Sequence, residues 1–416
     1  MKRTREFAIG PIFLLVFGGV IMTRPMIAAI SDDFDVAAGS WMYWGVVPDD
    51  VLVRSLILIL IFLLAFVFVM SFVRPLKINV SSNNRILEQV SIFFMVASAP
   101  LYAYRGYLLM SIIADAGYFA TFTGDVQTPF IVNIGYAIFQ VSYLSFLAAC
   151  PDRTSFRRIS FFFLIFSASS LGSGQRTEFV SAVLFSYWAG LHLGFYEFKL
   201  RRVSLMAVPL LCVSIVVNAW RLGVGIEESF VESILSFFWG QGVTIFTVFG
   251  LVENRNLFSP FEGFFFPNKF LMCDLGPYLT GQFCANNVAT VQLSGLWWQR
   301  LSYILDPEKF LEGGGLGGNV VSSLYLMFNF ENFALSAALL GVSSFIFFWL
   351  LVRSRGLQRG GVFSKIYFIY LMQVMTFLPR AALDALIPHI RYMIALAFIV
   401  FIYQIAKVFG RRSSLS

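Results

Sequence analysis

The chain has 416 residues, of which 58% are hydrophobic and only 13% charged, whereas a soluble domain carries about a quarter charged residues; lipid is the solvent for most of it. The formal charge of +7 comes from basic residues in short clusters between apolar runs, a pattern that orients a membrane protein and argues against a nucleic-acid partner. Four cysteines without a C-x-x-C pair and two histidines offer few ligands for a structural metal site, so neither a metal nor another cofactor is expected.

A helix needs about 20 apolar residues to cross the hydrocarbon core, with every backbone polar group satisfied inside it. By that measure the chain reads as an all-α integral membrane protein with about ten transmembrane helices. The first seven fill residues 1–220 as spans 7–23, 51–73, 87–110, 130–150, 159–171, 178–196 and 203–220. The first run follows Lys2, Arg3 and Arg5 without a small-residue cleavage site behind it, and is expected to stay as a helix rather than be removed as a signal peptide. A single long loop, 221–332, comes next. The last three helices, 333–352, 362–378 and 388–406, fall within residues 333–416. Inside the loop, residues 234–252 are apolar enough to span. Counting them would turn Arg353, Arg355 and Arg359 outward, so they are assigned to a short re-entrant or interfacial helix.

Alternating sides from a cytoplasmic N-terminus collects Arg74/Lys77/Arg85, Arg153/Arg157/Arg158, Lys199/Arg201/Arg202, Arg353/Arg355/Arg359/Lys365 and Lys407/Arg411/Arg412 on the inner side. Both termini are then cytoplasmic and the long loop is periplasmic. Its Cys273 and Cys284 either form a disulfide in that oxidising space or stay as two thiols.

Arginines on the disfavoured outer side are the informative residues. Arg176 lies in the polar break Gly172-Ser-Gly-Gln-Arg-Thr-Glu178, Arg221 ends the seventh span, Arg300 follows Trp297 and Trp298, and Arg380 and Arg391 bracket the last turn. Arg105, within the third span, is a sixth candidate. A guanidinium binds phosphate bidentately and stays charged, so these residues are expected to converge on one outward cavity suited to a diphosphate. The bland alternative for each is snorkelling to the interface or pairing with a nearby acid. His389, or Glu178, is the candidate general base, while His192 is read as structural. Trp297 and Trp298, beside Arg300, are the candidate sugar-stacking surface, and the other outer tryptophans are read as an aromatic belt.

This pattern resembles the Wzy-type polymerases of oligosaccharide repeat units, with the O-antigen ligases as relatives. The Gly172-to-Glu178 turn is similar to that family's small-residue Arg-Thr turn. Gly313-Gly-Gly-Leu-Gly-Gly-Asn319, leading through Ser323-Leu-Tyr325 into a helix, is similar to its glycine-rich stretch. The plan of ten or more spans with one large late loop matches as well. At Phe328-Asn-Phe-Glu-Asn-Phe333 the chain departs from the Phe-Gly pair expected there. The resemblance implies a metal-independent membrane glycosyltransferase of the bacterial inner membrane, its active site facing the periplasm. It would polymerise oligosaccharides carried on undecaprenyl diphosphate, with a chain-length regulator protein as a candidate partner. The rivals are the O-antigen ligase, which shares the plan, a lipid-linked oligosaccharide flippase or other transporter, and a membrane acyltransferase. The absence of an internal repeat and the gathering of polar residues at one face favour an enzyme over a transporter.

The charge pattern makes a direct prediction. A reporter fused after Arg355 will lie in the cytoplasm and one fused within 313–318 in the periplasm; a periplasmic Arg355 fusion would mean that 234–252 spans the membrane.

Overall fold

The computed structural model describes residues 9–29, 43–72, 84–122, 128–172, 176–197, 242–259 and 296–412, with scattered positions among 35–40, 199–240 and 286–291. Most of the expected span 203–220 lies outside the described residues, as do Arg221, Cys273 and Cys284.

Helix α1 (Ile9–Val20) and the short α2 (Thr23–Ala28) lead into a two-stranded antiparallel ribbon, β1 (Ala38–Ser40) with β2 (Tyr43–Val46). Helices α3 (Asp49–Phe72), α4 (Arg85–Ala116), α5 (Phe130–Ala148), α6 (Arg153–Ser167), α7 (Ser169–Gly172) and α8 (Arg176–His192) follow. Beyond them come α9 (Phe246–Glu253), α10 (Trp297–Leu305), α11 (Pro307–Leu311), α12 (Val320–Leu326), α13 (Phe333–Arg353), α14 (Val362–Met375) and α15 (Ile390–Arg412). Among the described residues 5 helices are long and apolar enough to cross a membrane: α3, α4, α5 and the segments Phe333–Arg359 and Leu383–Phe409. Gly10–Val20 and Val362–Met375 are shorter apolar helices. The chain is a multi-pass helical membrane protein.

Residues 242–253 form no long helix. A 3-10 turn, Gly242–Ile245, enters α9, in which Phe246 through Val252 are all buried. Its 8 residues rise about 12 Å, well short of a hydrocarbon core of about 30 Å, and a helix covered all round has no face for lipid.

The core is built largely from phenylalanine. Phe13 and Phe17 of α1 meet Phe62 and Phe66 of α3 and Phe348 of α13, with ring centroids 4.9 Å apart for Phe13–Phe66, 5.5 Å for Phe17–Phe62 and 5.0 Å for Phe66–Phe348. Leu60, Leu64, Phe68 and Phe72 on the other side of α3 are exposed, as a lipid-facing stripe should be. Some buried polar groups tie helices together: the Tyr143 hydroxyl lies 2.8 Å from Ser160 Oγ and donates to Ser186 Oγ at 3.0 Å, tying α5 to α6 and α8.

One end of the bundle carries Arg85, the 153–158 cluster and the C-terminal part of α15. Asn84 caps α4 through Leu87 N (3.2 Å), donates from its own backbone N to Ala149 O (2.9 Å) and from Nδ2 to the Tyr403 hydroxyl (2.9 Å). Those bonds bring Arg85, the Arg153–Arg158 cluster and the C-terminal part of α15 to the same end. Asp152 caps α6 there, and the N–H groups of Ser155 and Thr154 hold its carboxyl below the ordinary range. From Arg85 to Arg105 α4 climbs about 30 Å, one hydrocarbon thickness, so Arg105 belongs to the opposite end.

At that opposite end the glycine-rich segment is an internal strut. Leu316 N donates to Ser302 Oγ (3.1 Å), Asn286 Nδ2 to Gly314 O (2.6 Å), Thr247 Oγ1 to Gly317 O (3.3 Å) and Asn319 Nδ2 to Thr244 O (3.3 Å). Leu383 N then donates to Ser323 Oγ at 3.2 Å, which fixes the turn before α15. Gly313 has φ +99° and presses on the Phe119 carbonyl, so a β-carbon there meets both backbone strain and a backbone atom. Gly313→Ala is therefore expected to lower stability by about 1–3 kcal/mol from strain alone. Gly315→Ala, whose nearest neighbour would be Ser302 Oγ at 3.7 Å, should be near neutral. Thermal transitions of the two detergent-solubilised variants test the contrast, and equal transitions would refute it.

Candidate active site

Gly135 of α5 has no room for a side chain. An added β-carbon would stand 2.5 Å from Leu101 Cβ and Cδ1. The glycine thus lets α4 and α5 close on each other one residue before Tyr136. The approach stacks Tyr102 on Tyr136, with centroids 5.1 Å apart and planes at 12°. Tyr102 and Arg105 share one face of α4, three residues apart, and the Arg105 guanidinium carbon lies 4.2 Å from the Tyr136 ring centroid.

Helix α7, which ends at Gly172 where the polar break begins, packs on the same stretch of α4. A β-carbon at Gly106 would touch Ser169 Oγ at 3.0 Å, and one at Gly172 would touch Met110 Sδ at 3.1 Å, so α7 lies close against α4 and aims α8 at α5. Glu178 sits in the first turn of α8, where the helix dipole favours an anion. It accepts a hydrogen bond from the Tyr136 hydroxyl on Oε1 at 2.6 Å, while its buried Oε2 has no hydrogen-bond partner among the described residues.

The N-terminus of α15 completes the group. Tyr392 N donates to His389 O at 2.9 Å as the helix opens. The Arg391 guanidinium carbon lies 5.8 Å from the Tyr136 ring and 5.6 Å from that of Tyr392. Tyr392 meets Tyr136 edge to face at 6.3 Å, and His389 lies 6.3 Å from Tyr392. Arg105 Nε and Arg391 Nε are buried without hydrogen-bond partners among the described residues. Around one tyrosine ring the fold thus gathers two guanidiniums, one carboxylate and the first turns of two helices, with His389 at the rim.

Of the residues singled out in sequence, Glu178, Arg391 and His389 come together, joined by Arg105. Arg176 opens α8 two residues before Glu178, and Arg221 lies outside the described residues. Two others belong to different surroundings. Arg300 holds its guanidinium carbon 5.3 Å from the Phe258 ring, and Arg380 is exposed on the turn Leu378–Arg380. Trp297 is 3% exposed and part of the core, with Trp298 edge-on to it at 5.9 Å. His192 is stacked on Trp188 at 4.9 Å, far along α8 from Glu178.

Sequence reasoning missed the tyrosines. The available signals were Tyr102 three residues before Arg105 and Tyr392 directly after Arg391. It also passed over Arg24, which is 4% exposed, donates from Nε to Trp239 O at 3.1 Å and lies 4.4 Å and 4.6 Å from the rings of Trp239 and Phe246. This is a clamp between α2 and the turn before α9, and nothing in the local sequence announces it.

The family model for the O-antigen polysaccharide polymerase Wzy matches residues 1–413. No curated protein and no solved structure matches the chain.

Proposed function

The chain belongs to the Wzy family of O-antigen polysaccharide polymerases, and from that membership we propose that the cluster around Tyr136 is where its glycosyl transfer takes place. The observation that carries the proposal is a surplus of positive charge. Among the described residues Arg105 and Arg391 gather with a single carboxylate, Glu178, where α8 and α15 begin, and helix N-termini are themselves anion sites. A diphosphate suits that surplus.

In this reading the donor and the acceptor are oligosaccharide repeat units carried on undecaprenyl diphosphate. The acceptor hydroxyl attacks the anomeric carbon of the donor, the bond from that carbon to the diphosphate oxygen breaks, and undecaprenyl diphosphate leaves with the electron pair. Arg105 and Arg391 stabilise the charge that develops on the leaving oxygens. The acceptor's proton passes to Glu178, whose Oε2 has no hydrogen-bond partner among the described residues; His389 at the rim is the alternative base.

The end of the bundle opposite the basic clusters is the periplasmic face under the positive-inside rule, so the active site opens there, in the bacterial inner membrane with both termini cytoplasmic. The same proposal includes about ten spans, divided into 1–220, the periplasmic segment 221–332 and 333–416, and a chain-length regulator as partner. The arginines supply the charge neutralisation, and the proposed step uses no metal.

Alanine at Arg105, Arg391 or Glu178 is expected to leave the protein in the membrane but to stop polymer growth at one repeat unit. Each guanidinium makes charge-assisted contacts worth about 1.5–3 kcal/mol. Lysine should rescue Arg105 and Arg391 only in part, because it keeps the charge and loses the planar fork. Alanine at Arg157, at the basic end, should leave chain length near normal. The lipopolysaccharide ladder at matched expression reads all of these, and a normal ladder from Arg105→Ala together with Arg391→Ala would sink the assignment.

A further inference from the structure

We infer that Tyr136 is the positioning residue for Glu178, occupying Oε1 so that Oε2 alone is free to take the acceptor's proton. The inference rests on the transfer site proposed above and adds to it a residue that no sequence motif marks. The Tyr136 hydroxyl donates to Oε1 at 2.6 Å, a length typical of an O–H bond to an ionised carboxylate. Its own direction is fixed by packing. The ring is 5% exposed, stacked on Tyr102 at 5.1 Å, met edge-on by Tyr392 at 6.3 Å and capped by the Arg105 guanidinium at 4.2 Å.

Without that bond the carboxylate is free to rotate and offer both oxygens to Arg105 or Arg391, and a base spent in an ion pair is a poor acceptor. With it, one oxygen is tied to a neutral donor and the other keeps its lone pairs for the substrate. The step balances simply. The acceptor O–H bond breaks, its electron pair forms the new bond to the anomeric carbon, the proton goes to Oε2, and the departing diphosphate carries off the electrons of the broken glycosyl–oxygen bond.

A double-mutant cycle on the full-length protein, reconstituted with a lipid-linked repeat unit, tests this through kcat and KM. Tyr136→Phe keeps the ring and its stacking, so the fold survives. It should lower kcat roughly tenfold to a hundredfold and leave KM within about threefold. In a Glu178→Gln background the same change should cost nothing further, because Tyr136 acts only through the carboxylate. Equal losses in both backgrounds would mean a purely structural role and would overturn the inference, as would a wild-type rate for Tyr136→Phe alongside a slow Glu178→Gln. A wild-type rate for Glu178→Gln itself would remove the base assignment beneath it, which is a separate failure. If Glu178→Gln falls below detection, the single variant decides: a lower kcat at constant KM supports the role, and a raised KM at constant kcat refutes it.

Discussion

No residue larger than glycine fits at position 135, because Leu101 stands 2.5 Å from where a β-carbon would be; that close crossing of α4 and α5 is the constraint on which the polar cluster depends. In lipid the hydrophobic effect does not drive helices together, and association rests on tight packing and interhelical hydrogen bonds. Gly135 supplies the packing, and the next residue, Tyr136, supplies the bond. Its ring could not stack on Tyr102 if the helices stood a side chain further apart. Arg105 would then lose the aromatic face that lies 4.2 Å beneath it.

Two further helices reach the same ring by different devices. The first, α8, follows α7, which Gly106 and Gly172 let hug α4. The second, α15, is steered from much further away. The strut of residues 313–319 is bonded to Ser302, Thr244 and Thr247, and Ser323 then holds Leu383 N. Backbone groups buried this deeply need partners, and side-chain hydroxyls and amides provide them. The outcome is a chain of hydrogen bonds running from α9 through the glycine-rich segment to the turn that launches His389 and Arg391.

The helices were legible because lipid imposes one rule on every span: an unbroken apolar run. The expected 51–73, 87–110 and 333–352 appear as Asp49–Phe72, Arg85–Ala116 and Phe333–Arg353. Length was less legible, since 5 helices among the described residues meet the spanning criterion and shorter pieces such as α6 and α14 accompany them. Part of the candidate site was legible through charge. Arg391, Glu178 and His389 stood out because the positive-inside rule makes outer arginines unusual and the acid and histidine lie beside them. The same rule also picked Arg300, whose guanidinium carbon lies 5.3 Å from the Phe258 ring, and Arg380, exposed on the turn Leu378–Arg380, because it reports sidedness and not convergence. Tyr136 was invisible because a tyrosine in an apolar run looks like any other aromatic residue until a glycine next to it brings a second helix near. Composition likewise could not separate Phe62 in the core from Phe68 facing lipid; both belong to the same apolar run of α3.

The electrostatics of the cluster point in one direction. An unmade hydrogen bond on a buried polar atom costs about 1–3 kcal/mol, more when the group is charged, and here Arg105 Nε, Arg391 Nε and Glu178 Oε2 all stand without partners among the described residues. Arg391 adds a second cost, because a cation in the first turn of a helix opposes the dipole. A fold selected for stability alone would close these gaps by turning Glu178 onto an arginine. Instead its Oε1 is tied to the phenol of Tyr136, and among the described residues Glu178 forms no salt bridge with either arginine. The proposed anion, with several oxygens, would relieve the costs on the arginines: it would accept from both and meet two helix N-termini, leaving Glu178 Oε2 to the proposed acceptor hydroxyl. The demand is greatest when the anion is a leaving group gathering charge in a site sheltered from water, where each contact counts for more than in solvent. On the proposed reading, that is the demand a departing diphosphate would make of Arg105 and Arg391.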